Sequence, residues 1–144
     1  TILRVFPIYW VSGVAGNLLS CVLLPSKISV GASGALLGVM GAKLARTVSL
    51  WPKLPLQLKF SNILFTFMVI IFTFLFTFSR NVDWAAHLGG LFIGFFFGLC
   101  LWVNHVRIKW LKIAMFAAGS IVTILYFISL LLIFYLITPV EKLY

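Results

Sequence analysis

Five long apolar runs, separated by short polar breaks, limit what this chain of 144 residues can fold into. They cover residues 5–24, 31–50, 60–79, 84–103 and 113–138. Each run is close to the roughly 20 residues that a helix needs to cross a hydrocarbon core about 30 Å thick. Isolated strands would leave backbone groups unpaired in lipid, and a barrel would need alternating segments that this sequence lacks. The runs therefore predict an all-α polytopic bundle of about five transmembrane helices.

Charge and composition support this prediction. Hydrophobic residues make up 63% of the chain and charged residues 9%, whereas a soluble domain has about 25% charged residues. The net charge of +9 could suggest a nucleic-acid partner, but the basic residues fall mainly between the apolar runs, so we expect the lipid bilayer as a partner and no nucleic acid. Threading the runs alternately across a bilayer puts eight basic residues near one side, which is predicted to be cytoplasmic: Arg4, Lys43, Arg46, Lys53, Lys59, Arg107, Lys109 and Lys112.

The sequence gives no indication of a metal site or a cofactor. Cys21 and Cys100 stand alone within apolar runs, with neither a disulfide framework nor the spacing of metal ligands, and are interpreted as small interior residues. His105 lies in a basic connection and is interpreted as an interfacial residue without a catalytic role.

The second and fourth runs are rich in glycine, unlike the phenylalanine-rich third run. Small residues four positions apart let two helices approach closely in a membrane. In the fourth run, Gly90, Gly94 and Gly98 are spaced in this way, and His87 lies on the same stripe of the helix. Packing of the two runs against each other is therefore predicted, with His87 facing the second run and these glycines at the contact: Gly38, Gly41, Gly90, Gly94 and Gly98.

This packing would bring His87 next to Ser33, because both residues lie near the start of runs that begin on the same side of the membrane. A neutral imidazole is the usual base that takes the proton of a nucleophilic serine near pH 7. Gly31, Ala32 and Gly34 would allow a tight turn into a helix N-terminus, where backbone N–H groups can stabilise an oxyanion. Ser33 is thus a candidate nucleophile and His87 a candidate general base.

Each of these residues also has a structural interpretation. A serine in a membrane helix commonly bonds its own backbone, and a glycine ladder commonly serves packing alone. Asp83, four residues before His87, could orient the imidazole or cap the helix, and capping is the more common role. A channel or transporter would need more polar residues along a path, and among ionisable residues only His87 lies clearly deep in a run.

Gly31-Ala32-Ser33-Gly34 and Ala86-His87-Leu88-Gly89-Gly90 resemble the GxSG and AHxGG signatures of rhomboid intramembrane serine proteases. The likeness extends over about residues 5–103. It implies that a dyad of Ser33 and His87 hydrolyses peptide bonds in or next to transmembrane helices of membrane protein substrates, without a cofactor. The alternative is a catalytically inactive rhomboid-like protein that binds client transmembrane helices.

The resemblance also implies a domain organisation. Residues 1–103 correspond to part of the rhomboid core with four transmembrane helices, residues 104–112 to a basic cytoplasmic connection, and residues 113–144 to an additional C-terminal helix with a short tail. The family core has two further helices before this region, one with an HxxxN motif that has no counterpart here. We therefore expect the chain to begin within a longer protein and to be weakly active alone. The expected location is the plasma membrane or the secretory pathway, with an organellar inner membrane as the alternative.

Overall fold

The computed structural model describes residues 2–26, 32–77 and 83–137. Within these ranges the chain forms five α-helices and no strand, which confirms the predicted all-α bundle. The helices are α1 (Ile2–Leu23), α2 (Ser33–Ser49), α3 (Leu56–Thr77), α4 (Trp84–Trp102) and α5 (Lys109–Ile137). Short 3₁₀ turns at Trp51–Lys53 and Val103–His105 follow α2 and α4. Part of the predicted connection at 104–112 is thus helical, since α5 begins at Lys109.

Four of the described helices are long and apolar enough to cross a membrane: Leu3–Leu23, Leu56–Leu75, Trp84–His105 and Lys109–Leu136. The exception is α2, which has 17 residues. At 1.5 Å per residue it is about 25 Å long, less than the roughly 30 Å thickness of a bilayer core. The described part of the second apolar run therefore forms a short helix whose first residue is Ser33.

The central helix of the bundle is α4, which packs against α1, α2 and α5, while α3 packs against α2. More than half of the α4 span is buried (56%), compared with 6% of the α3 span. The difference follows from sequence, because α4 presents small residues on several sides whereas α3 consists largely of phenylalanine and branched aliphatic residues suited to lipid. The core therefore lies where α1, α2 and α4 meet.

Glycines let α2 and α4 approach until their backbones touch. A methyl group added at Gly94 would overlap the carbonyl oxygen and Cα of Gly38, and one added at Gly90 would overlap the carbonyl group of Gly34. The contact continues along both helices through Gly41, which faces the carbonyl oxygen of Leu91, and Gly98, which faces Ala42. Backbone atoms on both sides make this interface intolerant of any larger side chain.

The two cysteines occupy different environments. Cys100 is partly buried, and its Sγ contacts the Ser120 hydroxyl on α5 at 3.5 Å. Cys21 is exposed, so its interpretation as an interior residue was wrong. The buried stripe of α1 passes through Ile8, Ser12 and Ser20, and the residue after Ser20 is rotated about 100° away from it.

Candidate active site

Ser33 and His87 meet at the point where α2 and α4 begin. The Oγ of Ser33 lies 2.7 Å from Nε2 of His87, although the two residues are 54 positions apart in sequence. Ser33 is the first residue of α2 and is exposed, whereas His87 is only 3% exposed. A hydroxyl that donates to an unprotonated Nε2 at this distance has the geometry that general-base activation requires.

The first turn of α4 fits between two other helices. The carbonyl group of Ala86, the residue before His87, faces Gly16 of α1 and Gly34 of α2. A methyl group at Gly34 would come within 2.9 Å of that carbonyl oxygen, and one at Gly16 would overlap it. The absence of side chains at these two positions therefore allows His87 to approach Ser33.

Asp83 caps the N-terminus of α4. Its Oδ1 accepts a hydrogen bond from the backbone N–H of Ala86 at 3.0 Å, and its main-chain oxygen accepts one from the N–H of His87 at 3.3 Å. Oδ2 accepts a hydrogen bond from the hydroxyl of Ser20 on α1. Both side chains are buried, Asp83 at 7% exposure and Ser20 at 4%. Of the two roles that the sequence left open for Asp83, the structure shows the helix cap.

The N-terminus of α2 presents backbone donors beside the Ser33 hydroxyl. Its N-cap, Ala32, makes no side-chain hydrogen bond to the helix, and the N–H of Leu36 is bonded to the Ala32 carbonyl at 3.0 Å. The N–H groups that precede Leu36 in the helix have no acceptor within it. Such groups at a helix N-terminus favour a negatively charged ligand. Gly31, which was predicted to support this turn, lies outside the described residues.

The other sequence candidates lie away from this pair. His105 is in the 3₁₀ turn after α4, at the opposite end of that helix from His87, and its Nδ1 contacts the Trp102 carbonyl at 3.2 Å. In the described ranges, no group of three or more His, Cys, Asp or Glu side chains is positioned to hold a metal ion.

Sequence reasoning missed the contribution of α1 to the site. Gly16 and Ser20 both contact the first turn of α4, yet neither was a candidate. A signal was present, because Ser12, Gly16 and Ser20 recur every four residues and so form a stripe of small residues on one helix face. Ser12 is the first residue of this stripe along α1, and its Oγ lies against Gly38 of α2.

Comparison with known families identifies the family to which this fold belongs. The sequence model of the Rhomboid domain matches residues 2–104, which is more than two thirds of the chain. The chain belongs to the rhomboid family. Together with the four membrane-capable helices, this membership makes the rhomboid chain an integral membrane protein.

Named relatives of this rhomboid chain include a plant protein, a parasite protease and an inactive animal protein. It is 38% identical to RHOMBOID-like protein 6, mitochondrial, of Arabidopsis thaliana over 107 residues (69% of this chain, 32% of the relative). It is 30% identical to Rhomboid-like protease 3 of Toxoplasma gondii over 115 residues, which are 78% of this chain and 43% of the relative. It is 33% identical to Inactive rhomboid protein 1 of Danio rerio over 95 residues, which are 65% of this chain and 11% of the relative. The chain spans about a third of the length of the first two Arabidopsis relatives that it matches (32% each).

Proposed function

We propose that this rhomboid chain provides the catalytic dyad of an intramembrane serine endopeptidase, with Ser33 as nucleophile and His87 as general base. The observation that carries the proposal is the 2.7 Å separation between Ser33 Oγ and His87 Nε2. An exposed hydroxyl beside a buried imidazole is the combination that an activated serine needs, because the nucleophile must reach a substrate while its base stays oriented. In the proposed domain organisation, both dyad residues lie in residues 1–103, the part of the rhomboid core that this chain contains.

The proposed reaction is acyl transfer in two steps. Nε2 of His87 takes the hydroxyl proton as Ser33 Oγ forms a bond to the carbonyl carbon of the scissile peptide. Backbone N–H groups at the start of α2, beside Gly34, stabilise the resulting oxyanion. The imidazolium then protonates the leaving amine as the carbon–nitrogen bond breaks. A water molecule, deprotonated by the same imidazole, hydrolyses the acyl-enzyme and regenerates Ser33.

The substrates are proposed to be transmembrane proteins cut in or next to their membrane helices. The dyad lies at the ends of α2 and α4, and α4 is a membrane-capable helix, so a peptide bond must reach Ser33 near or within the bilayer. A peptide carbonyl inside a regular helix is already hydrogen-bonded, so the substrate must unwind locally before attack. We propose a plasma-membrane or secretory-pathway location, with an organellar inner membrane as the alternative that the mitochondrial relative favours.

Cleavage of a single-span reporter protein tests this function. The chain and the reporter are reconstituted together in liposomes, and the products are identified by mass spectrometry. The proposal predicts a cut in or beside the reporter's transmembrane helix that disappears in Ser33→Ala and persists in Ser61→Ala, since Ser61 is an exposed serine on α3. A reporter that remains intact with the unchanged chain, or a cut that survives Ser33→Ala, would contradict it.

A second candidate is an inactive rhomboid-like protein that binds client transmembrane helices. The specific observation in its favour is the 33% identity to Inactive rhomboid protein 1 of Danio rerio. In the same liposomes, this candidate predicts that a photo-crosslinker in the reporter helix captures the chain without any cleavage. The two functions therefore give different products in one experiment.

A further inference from the structure

A buried pair outside the dyad connects α1 to the start of α4. The pair consists of Asp83, which caps α4, and Ser20, whose hydroxyl donates to Asp83 Oδ2. Ser20 is 4% exposed and Asp83 7%, so both polar side chains are held away from solvent. A hydrogen bond to a charged group is stronger than one between neutral groups, and it specifies a geometry as well as supplying energy. The pair therefore fixes the start of α4 relative to α1.

Asp83 and His87 belong to the same helical turn. Oδ1 of Asp83 accepts from the N–H of Ala86, and its main-chain oxygen accepts from the N–H of His87. The carboxylate thus contacts α1 through one oxygen and the turn that carries the imidazole through the other. A shift of Asp83 relative to α1 would move the His87 backbone with it, because these hydrogen bonds tie the two residues together.

The other contacts of this turn with α1 and α2 are made by backbone atoms and small side chains. Ala86 faces Gly16 and Gly34, which present backbone and no side chain. Glycines let the backbones approach closely, but such van der Waals contacts lack the directionality of a hydrogen bond. The Ser20–Asp83 hydrogen bond adds a directional contact between α1 and this turn.

We propose that Ser20 and Asp83 are positioning residues that hold the His87 imidazole in register with Ser33. This inference rests on the proposed function for its catalytic consequence, but the position of His87 can be measured without any activity. A misplacement of about 1 Å at a reacting pair costs on the order of 100-fold in rate. Loss of the hydrogen bond is therefore expected to slow the reaction of Ser33 although neither dyad residue changes.

Ser20→Thr and Ser20→Val form a matched test pair, because threonine and valine have nearly the same shape and differ in the hydroxyl. Both variants are placed in lipid nanodiscs at a temperature where both are fully folded. Fluorophosphonate labelling of Ser33 is expected to be roughly tenfold slower in Ser20→Val than in Ser20→Thr, within the range expected for a sub-ångström shift. Equal labelling rates in the two variants would overturn the proposal.

Carbethoxylation by diethyl pyrocarbonate, followed at each histidine by mass spectrometry, provides the readout that needs no activity. His87 is expected to react several-fold faster in Ser20→Val than in Ser20→Thr, because a displaced imidazole loses its contact with Ser33. His105, the other histidine of the chain, should react equally in both and reports general unfolding. Equal reactivity of His87 in the two variants overturns the positioning role.

The two readouts separate this inference from the proposed function. If the unchanged chain is not labelled at Ser33 but His87 reactivity still depends on the hydroxyl at residue 20, the protease proposal fails and the positioning role stands. If Ser33 is labelled normally and the labelling does not depend on that hydroxyl, the protease proposal stands and the positioning role fails. Should either variant fail to fold, Ser20→Ala compared with the unchanged chain provides the same two measurements.

Discussion

Replacing His87 by alanine is expected to slow the reaction of Ser33 with a fluorophosphonate about 100- to 10,000-fold, the usual contribution of a general base. The hydroxyl would keep its exposure and its place at the start of α2, but it would lose the group 2.7 Å away that accepts its proton. The measurement is the second-order labelling rate of the chain in lipid nanodiscs at pH 7.

His105→Ala is the matched control for this prediction. It removes the same side chain from the 3₁₀ turn at the opposite end of α4, where Nδ1 contacts only a backbone carbonyl among the contacts described for this side chain. Its labelling rate should stay within about twofold of the unchanged chain, as expected for a site outside the reacting pair. Equal rates in His87→Ala and His105→Ala would show that His87 does not activate Ser33.

Gly94→Ala is expected to lower the free energy of unfolding by about 2–3 kcal/mol, near the upper range for an overpacked core. The added methyl group would overlap the carbonyl oxygen and Cα of Gly38, and backbone atoms cannot rotate away as a side chain can. The higher helix propensity of alanine, about 1 kcal/mol, offsets only part of this cost. Separation of α2 from α4 should also reduce the labelling rate of Ser33. Titration with a denaturing detergent measures the stability.

Gly13→Ala serves as its control. This glycine lies on α1, and an added methyl group would meet the Ala35 side chain at 3.2 Å. The small adjustment that relieves this contact offsets much of the gain in helix propensity, so the free energy of unfolding should stay within about 0.5 kcal/mol of that of the unchanged chain. Destabilisation of equal size in Gly13→Ala and Gly94→Ala would contradict the view that the α2–α4 backbone contact is the critical interface.

The helices and the pairing of α2 with α4 could be predicted because a lipid bilayer allows few kinds of secondary structure to cross it. Apolar length determines where a helix can span, and glycines recurring every four residues identify the face that packs. His87 lies on that face and near the same depth as Ser33, so their approach followed from periodicity and topology. Helix ends were less predictable. The second run was predicted to extend over residues 31–50, but α2 is described from Ser33.

The contribution of α1 could not be predicted with the same ease. Ser20 contacts Asp83 only because α1 crosses α4 at one particular level, and the sequence does not specify that level. A serine in an apolar run has an internal partner available in the carbonyl four residues before it, so its type alone does not indicate a contact between helices. Two roles for Asp83 likewise stayed open in the sequence, and the hydrogen bond from the Ala86 N–H to its Oδ1 shows the helix cap.

Mass spectrometric mapping of fluorophosphonate adducts in the membrane-embedded chain tests the central claim most directly. The claim is that Ser33 is an activated nucleophile. We expect the adduct on Ser33, its loss in Ser33→Ala, and no comparable adduct on Ser61, which is exposed on α3 without a described histidine contact. An unlabelled Ser33, or a rate at Ser33 no higher than that at Ser61, would contradict the claim and favour a rhomboid chain that binds transmembrane helices without cutting them.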